Sequence, residues 1–294
     1  MRLSRATLLG HRQCFGVFVA QMPNLSCDQL SASTMTEFFR RLDARKRQVG
    51  QGGERSGVRT STVATYRSRL SRFFNWLKAT GHLNSNPFAL MPYPHVEYED
   101  RRYLGRVAVE RIFSTLVLAG HWKTKFLRKR NIAMFSLLLY TGLRRGELLG
   151  LQVTDADLDR LEIAIRGETS KSRLRRVVPI NARLLVALED FVEERHQRHL
   201  KSEYLFTSVA DSPLTTDGLK HLVTQVRRLS GVNFHIHQFR HTFAVNYLSH
   251  GGDIARLRQL LGHRDIRMTS AYLRCLPTSA MRTDVESIAL DTLL

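Results

Sequence analysis

The segment from Ile132 to Tyr140 constrains this chain more than any other, because it is apolar nearly all the way round. A helix with no polar face has no side to turn to water, so it belongs inside a core made of other elements. A basic run precedes it (Lys123, Lys125, Arg128, Lys129, Arg130), and Gly142 breaks the pattern just after it. The chain around this segment must therefore supply enough further helix and sheet to bury it.

Most of the remaining periodicity is helical. Apolar residues recur at helical spacing from Arg5 to Met22 and from Thr34 to Leu42, and the glycine-rich stretch Val49 to Gly53 then reads as a loop. A stronger helix carries Val63, Tyr66, Leu70, Phe73, Phe74 and Leu77 on one stripe, with Ser61 or Thr62 as its cap and Gly81 at its end. Asn86-Pro87 closes this part. Met91 to Asp100, with two prolines and three acids, reads as a linker, giving domains at 1–95 and 101–294. In the second domain, helices are expected at Val107 to Leu118, Ala182 to His196, Thr216 to Leu229, His237 to His250 and Ile254 to Leu261. Leu161 to Arg166 and Arg175 to Ile180 form a β-hairpin, with Lys171 in or beside its turn. The fold class is mainly α, with a helical N-terminal domain and an α-rich second domain carrying a small antiparallel sheet.

Charge narrows the partner. With 45 Lys+Arg against 26 Asp+Glu, the net charge of +19 concentrates polyanions at the surface. Nucleic acid is the leading class; a merely solvated basic face and an acidic membrane are the alternatives. Arg67, Arg69 and Arg72 lie off the apolar stripe of their helix, and together with Lys123, Lys125, Arg128, Lys129 and Arg130 they are candidate phosphate contacts. Three widely spaced cysteines form neither a disulfide framework nor a zinc cluster, which fits a reducing cytoplasm. The apolar run Cys14 to Ala20 is too short to span a bilayer, so no membrane partner is expected.

Three motifs carry chemistry. TGLRRGELLGL (141–151) sets Arg144 at the start of a helix, where exposed backbone N–H groups favour an anion; alone, such an arginine more often closes a salt bridge, here with Glu147. HQFRHTFAVNYL (237–248) puts His237 and Arg240 three apart on one helix face, within joint reach of one phosphate, although an HxxR pair alone is usually a surface pair. LLGHRDIRMTSAY (260–272) ends a short helix with His263 and reaches Tyr272 nine positions later.

The order of arginine, lysine in a β-turn, HxxR, LGH and tyrosine resembles the tyrosine recombinase (phage integrase) family across Asn131 to Tyr272. The stretch FFNWLKATGHLNSNPF (73–88) resembles, more loosely, that family's core-binding domain. The resemblance implies a helical core-binding domain followed by a catalytic domain. It makes Arg144 and Arg240 the phosphate-binding arginines, His237 and His263 further phosphate contacts, and Tyr272 the nucleophile. It also points to Lys171, the turn lysine upstream of the Val178-Pro179-Ile180 strand, although Arg173, Arg175 and Arg176 crowd the same region. A four-protomer assembly on double-stranded DNA with a specific recombination site is implied. So is a C-terminal segment (Met281, Val285, Ile288) that docks on a neighbour. Arg145, Arg264 and Arg267 stand where family members often carry smaller or uncharged residues.

These residue types suit phosphodiester exchange. Charge grows on the equatorial oxygens during in-line attack, and two planar guanidiniums can hold it bidentately. A phenol with an ordinary pKa of about 10 needs a base or a strongly positive setting. The leaving 5′ oxygen needs an acid, a role open to Lys171. One ester replaces another, so neither a nucleotide cofactor nor a metal ion is required; Asp155, Asp157 and Asp159 read as a turn. The rival readings are a type IB topoisomerase-like nicking-closing enzyme and a non-catalytic DNA-binding protein.

Overall fold

A computed structural model describes residues 5–49, 53–94, 103–168 and 174–278. The chain divides into two compact units, Met1–Tyr98 and Glu99–Leu294.

The first unit is helical. It contains α1 (Arg5–Gln21), α2 (Ala32–Ala44) and α3 (Thr60–Ala79). Ser31 caps α2 by accepting from the Thr34 amide at 3.2 Å. Phe18 meets Phe38 edge-on at 5.0 Å between ring centroids, and Phe74 stacks on Phe88 at 5.8 Å, which is the helical stripe of the sequence turned inward. Two details differ from expectation. α3 starts at Thr60 with Arg59 as its uncapped N-terminal residue, not at a Ser61 or Thr62 cap. Short strands β1 (Arg47–Val49) and β2 (Gly53–Arg55) also pair antiparallel and take in Val49 and Gly53, the two ends of the expected loop, whose residues 50–52 lie outside the described residues. Strands of three residues carry too little alternation to be read from sequence.

The second unit is built around α5 (Lys125–Thr141). Thr124 caps it by accepting from the Leu127 amide at 3.2 Å, so the basic run from Lys125 to Arg130 forms the first turns of the buried helix itself, with Lys123 just before the cap. Ala133, Met134, Phe135, Leu137 and Leu138 are all buried. α5 packs against α7 (Ala182–Gln197) and α9 (Ile236–Ser249), while α4 (Arg106–Val117) packs against α8 (Thr216–Ser230). Phe135 sits edge-on to Phe239 at 5.3 Å and to Phe234 at 6.0 Å. Burying each such side chain contributes about 1.5–3 kcal/mol, which is what holds a helix with no wet face in place.

The sheet has three antiparallel strands in the order β3 (Ala156–Asp157), β4 (Glu162–Ile165) and β5 (Arg176–Pro179). Ile163, Ile165 and Val178 point into the core. Ala156 and Asp157, read from sequence as part of a turn, add the third strand. Asp155 instead accepts from the Gln152 amide at 2.9 Å and pairs with Arg166 at 2.8 Å. The remaining helices, α6 (Arg145–Leu149), α10 (Ile254–Leu261) and α11 (Arg267–Ser270), are short and gather at one site. The architecture is mainly α with a small antiparallel sheet, as the sequence led us to expect. Lys171 and the segment with Met281, Val285 and Ile288 lie outside the described residues. Among the described residues no helix is long and apolar enough to cross a membrane.

Candidate active site

The site begins where α5 ends. Gly142 closes the helix in the left-handed region at φ 63°, and a Cβ there would lie 2.6 Å from Phe243 Cδ1 on α9. Backbone conformation and close packing both demand glycine. The chain then turns directly into Arg144, the N-terminal cap of α6, whose amide donates to Glu147 Oε2 at 2.9 Å. The Arg144 guanidinium donates to Glu147 Oε1 at 2.9 Å and to the Gly262 carbonyl at 3.3 Å. The salt bridge with Glu147 that the spacing offered as the plain reading is thus present. It fixes the guanidinium beside the loop that carries His263.

Arg240 reaches the same place from α9. Its guanidinium donates to the Gly142 carbonyl at 2.7 Å, to the Leu261 carbonyl at 2.6 Å and to His263 Nε2 at 2.9 Å. Only 1% of Arg240 is exposed, and burial, followed by the nearby charge of Arg144, lowers its pKa to about 10. The two arginines therefore bind the adjacent carbonyls of Leu261 and Gly262, although 96 residues separate them in sequence. Gly262 ends α10 at φ 63° and allows the turn that delivers His263.

His263 is held at both ring nitrogens, by Arg240 and by Thr269 Oγ1 at 2.9 Å on α11. Tyr272 follows α11 and is 1% exposed, its ring parallel to His263 at 6.3 Å and tilted against His241 at 5.5 Å. His241 in turn meets His237, which is exposed, at 4.5 Å. One face of α9 thus presents His237, Arg240 and His241 together. The structure gathers Arg144, His237, Arg240, His263 and Tyr272 into one neighbourhood.

Two further residues belong to it. Glu147 has no exposed side chain, and its two oxygens accept from both guanidinium ends of Arg176 on β5 at 3.0 and 2.8 Å. Burial alone would raise its pKa, but hydrogen bonds and charge from Arg176, and then from Arg144, hold it down to about 2. Arg176 also donates to the Leu260 carbonyl at 2.7 Å. The signal for Glu147 was its spacing from Arg144; Arg176 was hidden among neighbouring arginines. Thr269 and His241 carried no signal beyond standing inside the motifs.

The basic residues proposed as DNA contacts sort differently. Arg72 and Lys123 are exposed. Lys125 pairs with Glu194 at 3.5 Å, and Arg128 donates to the Val117 carbonyl at 3.5 Å. Arg69 donates to the Gly10 carbonyl at 2.7 Å, and Arg67 donates to the Phe88 and Met91 carbonyls while lying over the rings of Phe88 and Tyr93, so both tie the first unit together. Lys129 and Arg130 require a correction. Helical period puts them on the same face as Phe126 and Ala133, which is the buried one. Lys129 is buried against Asp190 at 2.6 Å. Arg130 donates to the Thr207 carbonyl and to Asn131 Oδ1 at 2.8 and 2.9 Å, and burial lowers its pKa to about 10.

Residues 110–278 match the phage integrase family. The chain belongs to that family, the tyrosine-type DNA recombinases. Among curated relatives, the tyrosine recombinase XerC of Bacillus pumilus is 28% identical over 77% of this chain and 74% of its own length. That of Anoxybacillus flavithermus is 27% identical over 83% and 77%. Among solved structures, the Tn1549 transposon integrase in complex with transposon right end DNA has a TM-score of 0.75 at 19% identity, covering 98% of this chain and 95% of that one. A lambda integrase dimer bound to a COC' core site has a TM-score of 0.69 at 17% identity, covering 92% and 89%. At these identities the two structures speak for the fold.

Proposed function

We propose that this chain is a site-specific recombinase that binds duplex DNA and exchanges strands through a 3′-phosphotyrosine intermediate on Tyr272. The observation that carries this reading is the approach of two guanidiniums, Arg144 and Arg240, to consecutive carbonyls beside the His263–Tyr272 stack. Preformed positive donors at one point are what an anionic transition state requires, because they need no reorganisation as charge develops. The net charge and the DNA complexes among the solved neighbours support duplex DNA as the substrate.

In this reading Arg144 and Arg240 grip the non-bridging oxygens of the scissile phosphate, with His237 and His263 as further contacts. The Tyr272 phenolic oxygen attacks phosphorus and the bond to the 5′ oxygen breaks. Tyr272 gives its proton to a histidine of the cluster, and Lys171 protonates the departing oxygen. A second 5′ hydroxyl reverses the step on a new strand, which conserves the number of ester bonds. Since Tyr272 is almost wholly covered, attack requires the α11 segment to shift. We propose further that four protomers act on two duplexes, in the cytoplasm, and that the units divide as a DNA-clamping domain at residues 1–95 and a catalytic domain at 101–294.

The test is a plasmid carrying two copies of a candidate site beside a plasmid carrying none. Recombinant products from the first alone support the proposal. Relaxation of both, without recombinants, would assign the protein to nicking-closing chemistry instead.

A further inference from the structure

We propose that Arg176 is a positioning residue for strand cleavage, a clamp that locks the two anion-binding arginines to the β-hairpin whose strands flank Lys171 in the sequence. The inference rests on the recombinase reading above and adds to it a residue that touches no reacting atom.

Three separate parts of the chain meet on this one side chain. Both guanidinium ends of Arg176 bind the carboxylate of Glu147 at 3.0 and 2.8 Å, and Nε donates to the Leu260 carbonyl at 2.7 Å. Glu147 passes the constraint to Arg144, whose amide and guanidinium both donate to its carboxylate, each at 2.9 Å. The Leu260 contact passes it to the turn whose next two carbonyls, Leu261 and Gly262, accept from Arg240 and Arg144. A Cβ on Gly262 would meet Arg176 Nη1 at 3.0 Å, so the arginine lies flat against the turn that presents His263. β5, which holds Arg176, is hydrogen-bonded to β4, and residues 166–175, Lys171 among them, join the two strands in the sequence.

A bidentate guanidinium fits this task because it fixes distance and direction together, which an ammonium cannot. The carboxylate is the switchable part of the clamp. Among the described residues, the charges facing Glu147 are Arg144 at the start of its own helix, Arg176 from β5 and Arg240 from α9, with His263 beyond α10. Arg176 exerts the largest lowering effect on its pKa. Without Arg176 a buried carboxylate takes up a proton at a higher pH, and a neutral Glu147 holds Arg144 less firmly.

The experiment compares the full-length protein with Arg176→Gln and Arg176→Lys. Formation of the covalent adduct is followed in single turnovers at saturating nicked DNA, across the acidic pH range, alongside DNA affinity and the thermal melt. We expect Arg176→Gln to slow adduct formation by about tenfold or more, with affinity changed less than about threefold, the pattern of a lost transition-state interaction. Its rate falls on acidification in a pH range where the wild-type rate is flat. Arg176→Lys, which restores a charge beside Glu147, recovers part of the rate and abolishes that acidic fall. A folded Arg176→Gln with the wild-type rate and profile would overturn the proposal. So would losses in rate and affinity of equal size. Should Arg176→Gln fail to melt cooperatively, Arg176→Lys decides alone: an intermediate rate at full affinity supports the clamp, and the wild-type rate removes it. Absence of any adduct from the wild type at its own site counts against the recombinase reading instead.

Discussion

Arg240 Nη2 lies 2.9 Å from His263 Nε2, and this contact fixes the tautomer of the imidazole. A guanidinium only donates, so Nε2 must accept and the ring proton sits on Nδ1, which faces Thr269 Oγ1 at 2.9 Å. His263 is thereby locked between Arg240 and α11, which ends two residues before Tyr272.

Thr269→Val removes the acceptor for the Nδ1 proton at a buried position. Leaving such a donor unpaired costs about 1–3 kcal/mol. Urea unfolding should show that loss, and adduct formation should slow more than DNA binding weakens. Unchanged stability would mean that the Thr269 contact is not made in solution.

Gly142→Ala tests the turn that delivers Arg144. The substitution meets both the left-handed strain, about 1–2 kcal/mol, and the side chain of Phe243 at 2.6 Å. Gly81→Ala, at φ 78° with nothing within 4 Å, carries the strain alone. Denaturant titrations of the two variants should therefore rank Gly142→Ala well below Gly81→Ala. Equal losses would contradict the packing described around Phe243.

Stability should fall in acid because of Glu147. Its pKa drops from an ordinary 4.5 to about 2 in the folded protein, so its contribution is complete above pH 4.5 and is lost as the pH falls from there towards 2. Glu147→Gln should remove that part of the pH dependence and lower stability at neutral pH, where Arg144 and Arg176 lose their carboxylate. Melting temperatures of both proteins across that range check the sign.

The candidate DNA contacts separate into exposed and buried members, and we propose that only the exposed ones meet DNA. Arg72→Ala and Lys123→Ala, at exposed positions, should each reduce the salt slope of DNA binding by about 1 without affecting stability. Arg130→Ala should do the reverse, since it strips a buried carbonyl and Asn131 of their donor. Salt titrations of binding combined with thermal melts distinguish the two patterns.

The sequence was most legible where local and long-range demands agree. The uniformly apolar stretch ending at Tyr140 could only be the buried α5, and Arg144, Arg240, His263 and Tyr272 stood in motifs whose convergence followed from their resemblance to the integrase family, since each motif alone reads as structural. The two-residue strand β3 escaped because two residues carry no period. Lys129 and Arg130 misled because a charge run reads as solvated, whereas helical phase places them beside Phe126 on the inner face. Arg176 could not be told from Arg173 and Arg175 before the fold supplied Glu147 and the Leu260 carbonyl as its partners.

In the proposed reaction the phenol of Tyr272, and no other group, takes the broken strand. Nicked duplexes carrying the recombination site should trap protein on the DNA, and protease digestion followed by mass spectrometry of the DNA-linked peptide reads the attachment point directly. A phosphodiester on Tyr272 at the 3′ end of the cut strand, and no adduct from Tyr272→Phe, is the expected result. An adduct that survives in Tyr272→Phe, or one mapped to another residue, would contradict it.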